Sequence, residues 1–177
     1  MNNDDRPTNK RSQRIRTLLL NAGLFIAIFL VVTTFQSRNM LATGGQAAPE
    51  LRGITLAGEP YDLGNAISRP ALVYFFAPWC TVCAASSTQL RWFQRWSGDS
   101  VRSVLIGMDW RDPAELAEYV RRHELDMPVL LGMPSTGADY RIRGYPTYYV
   151  IDAEGRVAGR DFGFTTAIGL WLRTRRL

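Results

Sequence analysis

Cys80 and Cys83 are the only two cysteines of the 177-residue chain, and they stand three apart in the run Trp79-Cys80-Thr81-Val82-Cys83. A thiol attacks only as its thiolate, and a free cysteine with a pKa near ~8.5 holds little of that form at neutral pH. The flanking sequence supplies a remedy. Ala71 to Ala77 is unbroken apolar, as a strand buried on both faces should be, and Pro78 ends it. From Cys80 to about Trp96 there is neither Gly nor Pro, and Ala84, Ala85, Leu90 and Phe93 favour a helix. Cys80 therefore falls where a helix begins, and there the free N–H groups and the helix dipole favour an anion. The spacing sets Cys83 one turn further along the same face, within the Cα separation a disulfide requires. Cys80 is expected to be the nucleophile and Cys83 the resolver of an intermolecular mixed disulfide. Thr81 and Val82 tune the thiolate, and neither is charged, aromatic or histidine, which favours a middling or reducing potential over a strongly oxidising one.

Other chemistries have less to work with. Structural zinc needs two further ligands, and the chain offers one histidine, His123, inside the charged run Arg121-Arg122-His123-Glu124, which reads as solvated surface. Copper(I) held by the two thiolates alone is the alternative, since soft ligands suit it and two suffice. That reading makes the chain a non-catalytic copper(I)- or zinc-binding module. An inert structural disulfide is disfavoured because so short a loop constrains little of the unfolded chain. A peroxidase would want a threonine ahead of a single peroxidatic cysteine, where this chain has Pro78-Trp79. No metal ligand set and no cofactor beyond the cysteine pair is expected.

The elements that must position the pair follow from pattern. Alternation broken by Gly58 and Pro60 between Ile54 and Leu63 predicts an edge hairpin. Val101 to Asp109 reads as a second strand. Asp112-Pro113 is an N-cap with proline at the first helical position, opening a helix to about Glu124. Pro128 to Gly132 and Tyr148 to Ile151 are strands. Asp152 to Gly155 is a hairpin turn, and Arg156 to Arg160 returns. Thr165 or Thr166 caps a last helix ending in Arg173, Arg175 and Arg176. Strands alternating with helices before a closing hairpin and helix indicate an α/β domain, a mixed sheet with helices on both faces, over residues 50–177.

Ahead of it lie three segments. Residues 1–16 carry five cations against Asp4 and Asp5, which accounts for most of the net charge of +5, so no basic stripe remains to track nucleic acid. Thr17 to Phe35 is nineteen residues without a charge, enough to span a bilayer as a helix. The positive flank keeps the amino terminus cytoplasmic and sends the rest across. The rival is a cleaved signal peptide, for which Gly45-Gln46-Ala47 is a distant cleavage site; the length of the run favours a retained anchor. Residues 36–49, rich in Ser, Gly, Gln and Ala, read as a linker to the membrane.

Two motifs stand in order along the chain: Val73-Tyr74-Phe75-Phe76-Ala77-Pro78-Trp79-Cys80-Thr81-Val82-Cys83, and, about sixty residues later, Tyr140-Arg141-Ile142-Arg143-Gly144-Tyr145-Pro146-Thr147. Together they resemble the thioredoxin superfamily. The opening hairpin and the helix from Pro113 look most like the membrane-tethered branch of TlpA-like, cytochrome c maturation and copper-sensitivity-suppressor thioredoxins. The resemblance implies a thioredoxin fold, a cis Pro146 opposite the disulfide, and a substrate-binding face made of Trp79, Tyr145, Pro146 and Thr147, with Tyr145 presenting its backbone to an extended peptide. It also implies a protein-disulfide oxidoreductase of the cell inner membrane with its catalytic domain in the periplasm. Its partners would be thiols or disulfides of exported proteins, and a membrane redox partner that supplies or removes electrons. Three positions depart from the pattern. Tyr74 stands where many thioredoxins carry a buried aspartate that helps deprotonate the resolving cysteine. Ser86 stands where several cytochrome-maturation members carry a glutamate. Thr88 replaces a frequent helix-kinking proline.

Overall fold

The computed structural model describes residues 8–38, 40–64 and 68–175, the stretches 8–12 and 29–38 as backbone. The chain divides into two compact units, Met1–Asn39 and Met40–Leu177. The first contains one 31-residue helix, α1 (Thr8–Arg38), which runs through the whole uncharged stretch. Among the described residues no helix is long and apolar enough to cross a membrane. The side chains of the second half of that stretch, from residue 29, lie outside the described set.

The second unit opens with the expected hairpin, β1 (Arg52–Ile54) against β2 (Pro60–Asp62). Its centre is a five-stranded sheet of β3 (Ala71–Phe76), β4 (Arg102–Gly107), β5 (Val129–Leu131), β6 (Thr147–Ile151) and β7 (Val157–Phe162), ordered β5-β4-β3-β6-β7. β4 runs parallel to β3 and β5, whereas β6 runs antiparallel to β3 and β7, so the sheet is mixed. Every residue of β3 is buried. The reason is its central place: Leu72, Tyr74 and Phe76 enter one apolar cluster, Val73 and Phe75 the other. The first cluster takes Cys83, Leu90 and Phe93 from α2 (Thr81–Ser97), Leu116 and Tyr119 from α3 (Pro113–Arg122), and Ala167 and Leu170 from the last helix (Ala167–Thr174). Asp112 caps α3 by accepting from the Ala114 N–H at 2.8 Å, and Thr166 caps the last helix through the Gly169 N–H at 3.1 Å.

The second cluster corrects the sequence reading. Residues 36–49, taken as a linker, supply its cover from Met40 onward: Met40 and Leu41 are buried beside Phe75, Ile106 and Tyr149. Three backbone bonds tie the same stretch to the start of β7, Gly44 N–H to Val157 O, Val157 N–H to Gln46 O and Ala48 N–H to Gly155 O. The compact unit thus starts at residue 40 and not at 50. Two buried side chains ahead of a glycine pair have no period to betray them, because their partners are set by the tertiary surface. A further short helix, α4 (Pro134–Asp139), was not anticipated; with it in place, the last helix is α5.

Candidate active site

The disulfide sits at the junction the sequence indicated. β3 ends at Phe76, Ala77 O accepts from the Cys80 N–H at 3.1 Å to close a turn through Pro78-Trp79, and α2 starts at Thr81 with Cys80 as its N-cap. An N-cap side chain normally offers oxygen to a free helical N–H. Here it offers sulfur: Cys80 Sγ accepts from the Cys83 N–H at 3.1 Å. After reduction the same N–H is placed to donate to a thiolate on Cys80, and such a bond favours the anion. Cys80 and Cys83 are joined, with Cα atoms 5.2 Å apart. Cys80 keeps a sliver of exposure (6%) while Cys83 has none. An incoming sulfur can reach Cys80 alone.

Opposite the pair lies the loop between α4 and β6, where the Tyr145–Pro146 peptide is cis, as the resemblance implied. Trp79 is 66% exposed, and its ring and that of Tyr145 meet in a T-shaped arrangement at 5.8 Å between centroids. Pro146 is buried, and its carbonyl accepts from the Gly163 N–H. Thr147 departs from its expected part in substrate contact. Its hydroxyl donates inward to Gly144 O at 2.8 Å, the residue is buried, and its backbone is paired on both sides, with Phe75 and with Phe162. Its work is to hold the loop. Thr81 and Val82 stand exposed on the first turn of α2, next in sequence to the reacting cysteine.

Several residues of the site were missed by sequence reasoning. Asp109, just beyond the carboxyl end of β4, holds a left-handed backbone at φ 48° and sets its carboxylate beside the Tyr145 hydroxyl; burial first and that charge second push the Tyr145 pKa up. Asp109, Trp79, Glu115, Glu118, Arg122 and Tyr119 line a cavity of about 540 Å³ next to the disulfide. Its place outside the carboxyl ends of parallel strands was the available signal. Tyr119 is buried to a pKa of about 12 and shares a 3.1 Å hydrogen bond with Ser87 Oγ, whose hydroxyl also reaches Cys83 O at 3.1 Å. His123 packs on the Tyr119 ring at 4.4 Å, and burial, then Arg122 and Arg91, hold its pKa below the usual imidazole value. Among the described residues no group of three or more His, Cys, Asp or Glu could hold a metal ion.

This arrangement, an N-capping cysteine bonded to a buried one and faced by a cis-proline loop on a mixed sheet, defines a thioredoxin-like thiol–disulfide oxidoreductase. The chain belongs to the Redoxin family, whose model matches residues 43–166. It is 26% identical over 135 residues to the thioredoxin-like protein YneN of Bacillus subtilis, covering 75% of this chain and 79% of that one. It is 23% identical over 155 residues to the thiol:disulfide interchange protein TxlA of Synechococcus elongatus, covering 88% and 67%. Among solved structures, a thioredoxin family thiol:disulfide interchange protein from Chlorobium tepidum superposes with a TM-score of 0.67 at 22% identity, over 77% of this chain and 98% of that one. A secreted Mycobacterium tuberculosis disulfide oxidoreductase superposes with a TM-score of 0.64 at 22% identity, over 72% and 96%.

Proposed function

We propose that this protein exchanges disulfides with exported proteins outside the cytoplasmic membrane, on the reducing or isomerising side, held there by α1. The observation that carries the exchange chemistry is the N-cap bond: one sulfur accepts a helix N–H and is open to attack, its partner enclosed. In the reducing direction the Cys80 thiolate attacks a substrate disulfide. The substrate S–S bond breaks, one substrate sulfur leaves as thiolate and takes a proton from water, and a Cys80–substrate bond forms. Cys83, as thiolate, then attacks Cys80 Sγ, the second substrate sulfur leaves, and the Cys80–Cys83 bond closes. Return to the dithiol takes two electrons from a dithiol partner. Tyr145 supports peptide recognition, since its backbone lies outside the sheet ladder, beside the disulfide. The uncharged run Thr17 to Phe35 behind a basic tail supports the anchor and the orientation.

The test is direct. Cys80→Ser is expected to abolish insulin reduction, and Cys83→Ser to accumulate mixed disulfides visible as mass adducts. Full turnover by the Cys80→Ser protein would end the proposal. Equilibration with glutathione buffers reads the direction: a potential near those of strong oxidants reverses the reducing assignment, and release of the chain from membranes by alkaline carbonate removes the anchor.

A further inference from the structure

The outer surface of α2 and α5 holds apolar side chains that the core does not use. Val82, Trp92 and Trp96 on α2, Ile168 and Leu172 on α5, and Phe164 in the loop leading into α5 are all exposed. Among the described residues they are most of the large apolar side chains that the unit from Met40 leaves in water, and such a concentration marks an interaction site where scattered single ones do not. The two helices are joined where Gln89 Oε1 accepts from the Ala167 N–H at 3.0 Å. Val82 and Trp96 stand seven residues to either side of Gln89, so they share its side of α2, along the seam with α5. Trp92 meets Trp96 at 6.2 Å between ring centroids. At one end the surface runs into the active site, since Val82 lies between the two cysteines and the Gly163 N–H, next to Phe164, donates to Pro146 O. Its charge is one-sided. Neither helix contains an Asp or Glu, and the first carboxylate after α2, Asp99, comes beyond its last turn. Arg91 pairs with Glu124, and Arg173 with Asp161. Arg95 and Arg175 meet no carboxylate among the described residues; their guanidinium groups lie over the Trp92 and Trp171 rings, 5.4 and 4.3 Å from the centroids. Tryptophan and arginine without acids is the composition of the centre of a protein–protein interface, where those two residue types dominate the binding energy. A second copy would set arginine against arginine, whereas an acidic partner complements the face.

We propose that the α2–α5 face docks the folded dithiol protein that returns Cys80 and Cys83 to their thiols, and that this partner presents an apolar helix edged with Asp or Glu beside its own cysteines. The inference rests on the exchange reading and names the surface its electron donor uses. Exported substrates differ in sequence from one to the next, but the donor is met at every turnover, and a fixed aromatic face suits a constant partner. The reach is sufficient: at about 1.5 Å per residue Trp96 lies about 24 Å along α2 from Cys80, and an interface of about 800 Å² on each side is about 30 Å across. In the docked pair the donor's two thiols give their protons to water. One donor thiolate attacks Cys80 Sγ; the Cys80–Cys83 bond breaks, and Cys83 leaves as thiolate and takes a proton from water. The second donor thiolate attacks the donor sulfur of the mixed disulfide, Cys80 leaves as thiolate, and the donor departs as a disulfide, two electrons poorer.

Two synthetic donors test the face on the full-length oxidised protein in nanodiscs. Both carry a Cys-x-x-Cys dithiol followed by the same amphipathic helix, its polar side glutamate in one peptide and lysine in the other, and dithiothreitol serves as the donor without a surface. The glutamate peptide is expected to reduce the disulfide about tenfold faster than the lysine peptide at low salt, with the gap closing in 1 M salt. Trp92→Ser/Arg95→Glu/Trp96→Ser should abolish the preference and leave the dithiothreitol rate unchanged. Ile168→Glu/Leu172→Glu, on the other helix, should do the same, so the result does not hang on one variant folding. Equal rates for the two peptides, or a preference that survives in both variants, overturns the proposal. Two further results overturn it by giving the face another occupant: quenching of tryptophan emission by brominated phosphatidylglycerol that disappears in the Trp92/Trp96 variant assigns it to the bilayer, and a dimer that the same substitutions dissolve assigns it to a second copy. A disulfide that neither peptide nor dithiothreitol reduces would instead sink the exchange reading itself, so the two failures are distinct.

Discussion

Chemically identical changes at three tyrosines of this domain should have different consequences, because their hydroxyls face different company. Tyr149 donates to Tyr140 O at 2.7 Å and accepts from the Leu41 N–H at 3.3 Å, both bonds buried. Tyr149→Phe leaves a buried carbonyl and a buried amide without partners, so it is expected to lower unfolding stability by about 1–3 kcal/mol, read from the urea midpoint. Tyr74 and Tyr148 make no such bonds, and their phenylalanine variants should be neutral or more stable. A Tyr149→Phe protein as stable as the parent would show that the two bonds are made equally well with water. The same reasoning separates the two cysteines. Cys80 lies against an N–H and the outside, Cys83 wholly inside the apolar cluster, and their roles follow from that difference and not from the spacing they share.

At the scale of elements, the segment ahead of β1 makes the clearest claim. Removing residues 1–39 should leave the thermal midpoint in place, since the unit from Met40 keeps its own core. Removing residues 1–49 takes away Met40, Leu41 and three backbone bonds to the start of β7. Burial of a single leucine is worth about 1.5–3 kcal/mol, so this second truncation should lower the midpoint by many degrees. Equal midpoints for the two shortened chains would mean that residues 40–49 are the linker they resemble in sequence. The contrast shows what a sequence can disclose. β3 was legible because burial on both faces demands an unbroken apolar run, and α3 because Asp112-Pro113 is a local cap. α4 was not, being Pro-Ser-Thr-Gly-Ala-Asp with no apolar stripe. In the site, the cysteines and the Gly144-Tyr145-Pro146 loop announce themselves by type and order. Asp109, Ser87 and Tyr119 do not, because what makes them part of it is a meeting of β4, α2 and α3 that no local pattern records.

Across the whole molecule, the tyrosines that build both cores make stability depend on alkaline pH. Burial is the first cause in each case: it pushes Tyr119 and Tyr148 up to about 12 and drives Tyr74 and Tyr140 higher still. An unfolded chain releases these protons near pH ~10. Between the two values the unfolded state binds fewer protons than the native one, so stability falls as pH rises, and it is fully present below pH ~10. Tyr119 and Tyr148 alone would remove about 5 kcal/mol by pH ~12. Ordinary domains hold about 5–15 kcal/mol in total. The domain is therefore expected to unfold cooperatively between these limits, with phenolate absorbance and the loss of far-UV circular dichroism following one curve. Phenolates appearing near pH ~10 with the dichroism intact would mean that the phenols between β3, β6 and α2 reach water in the folded state. Water would then also reach the cluster that encloses Cys83. The alkaline titration of the whole molecule thus bears on the chemistry of one sulfur, because both depend on the same enclosure.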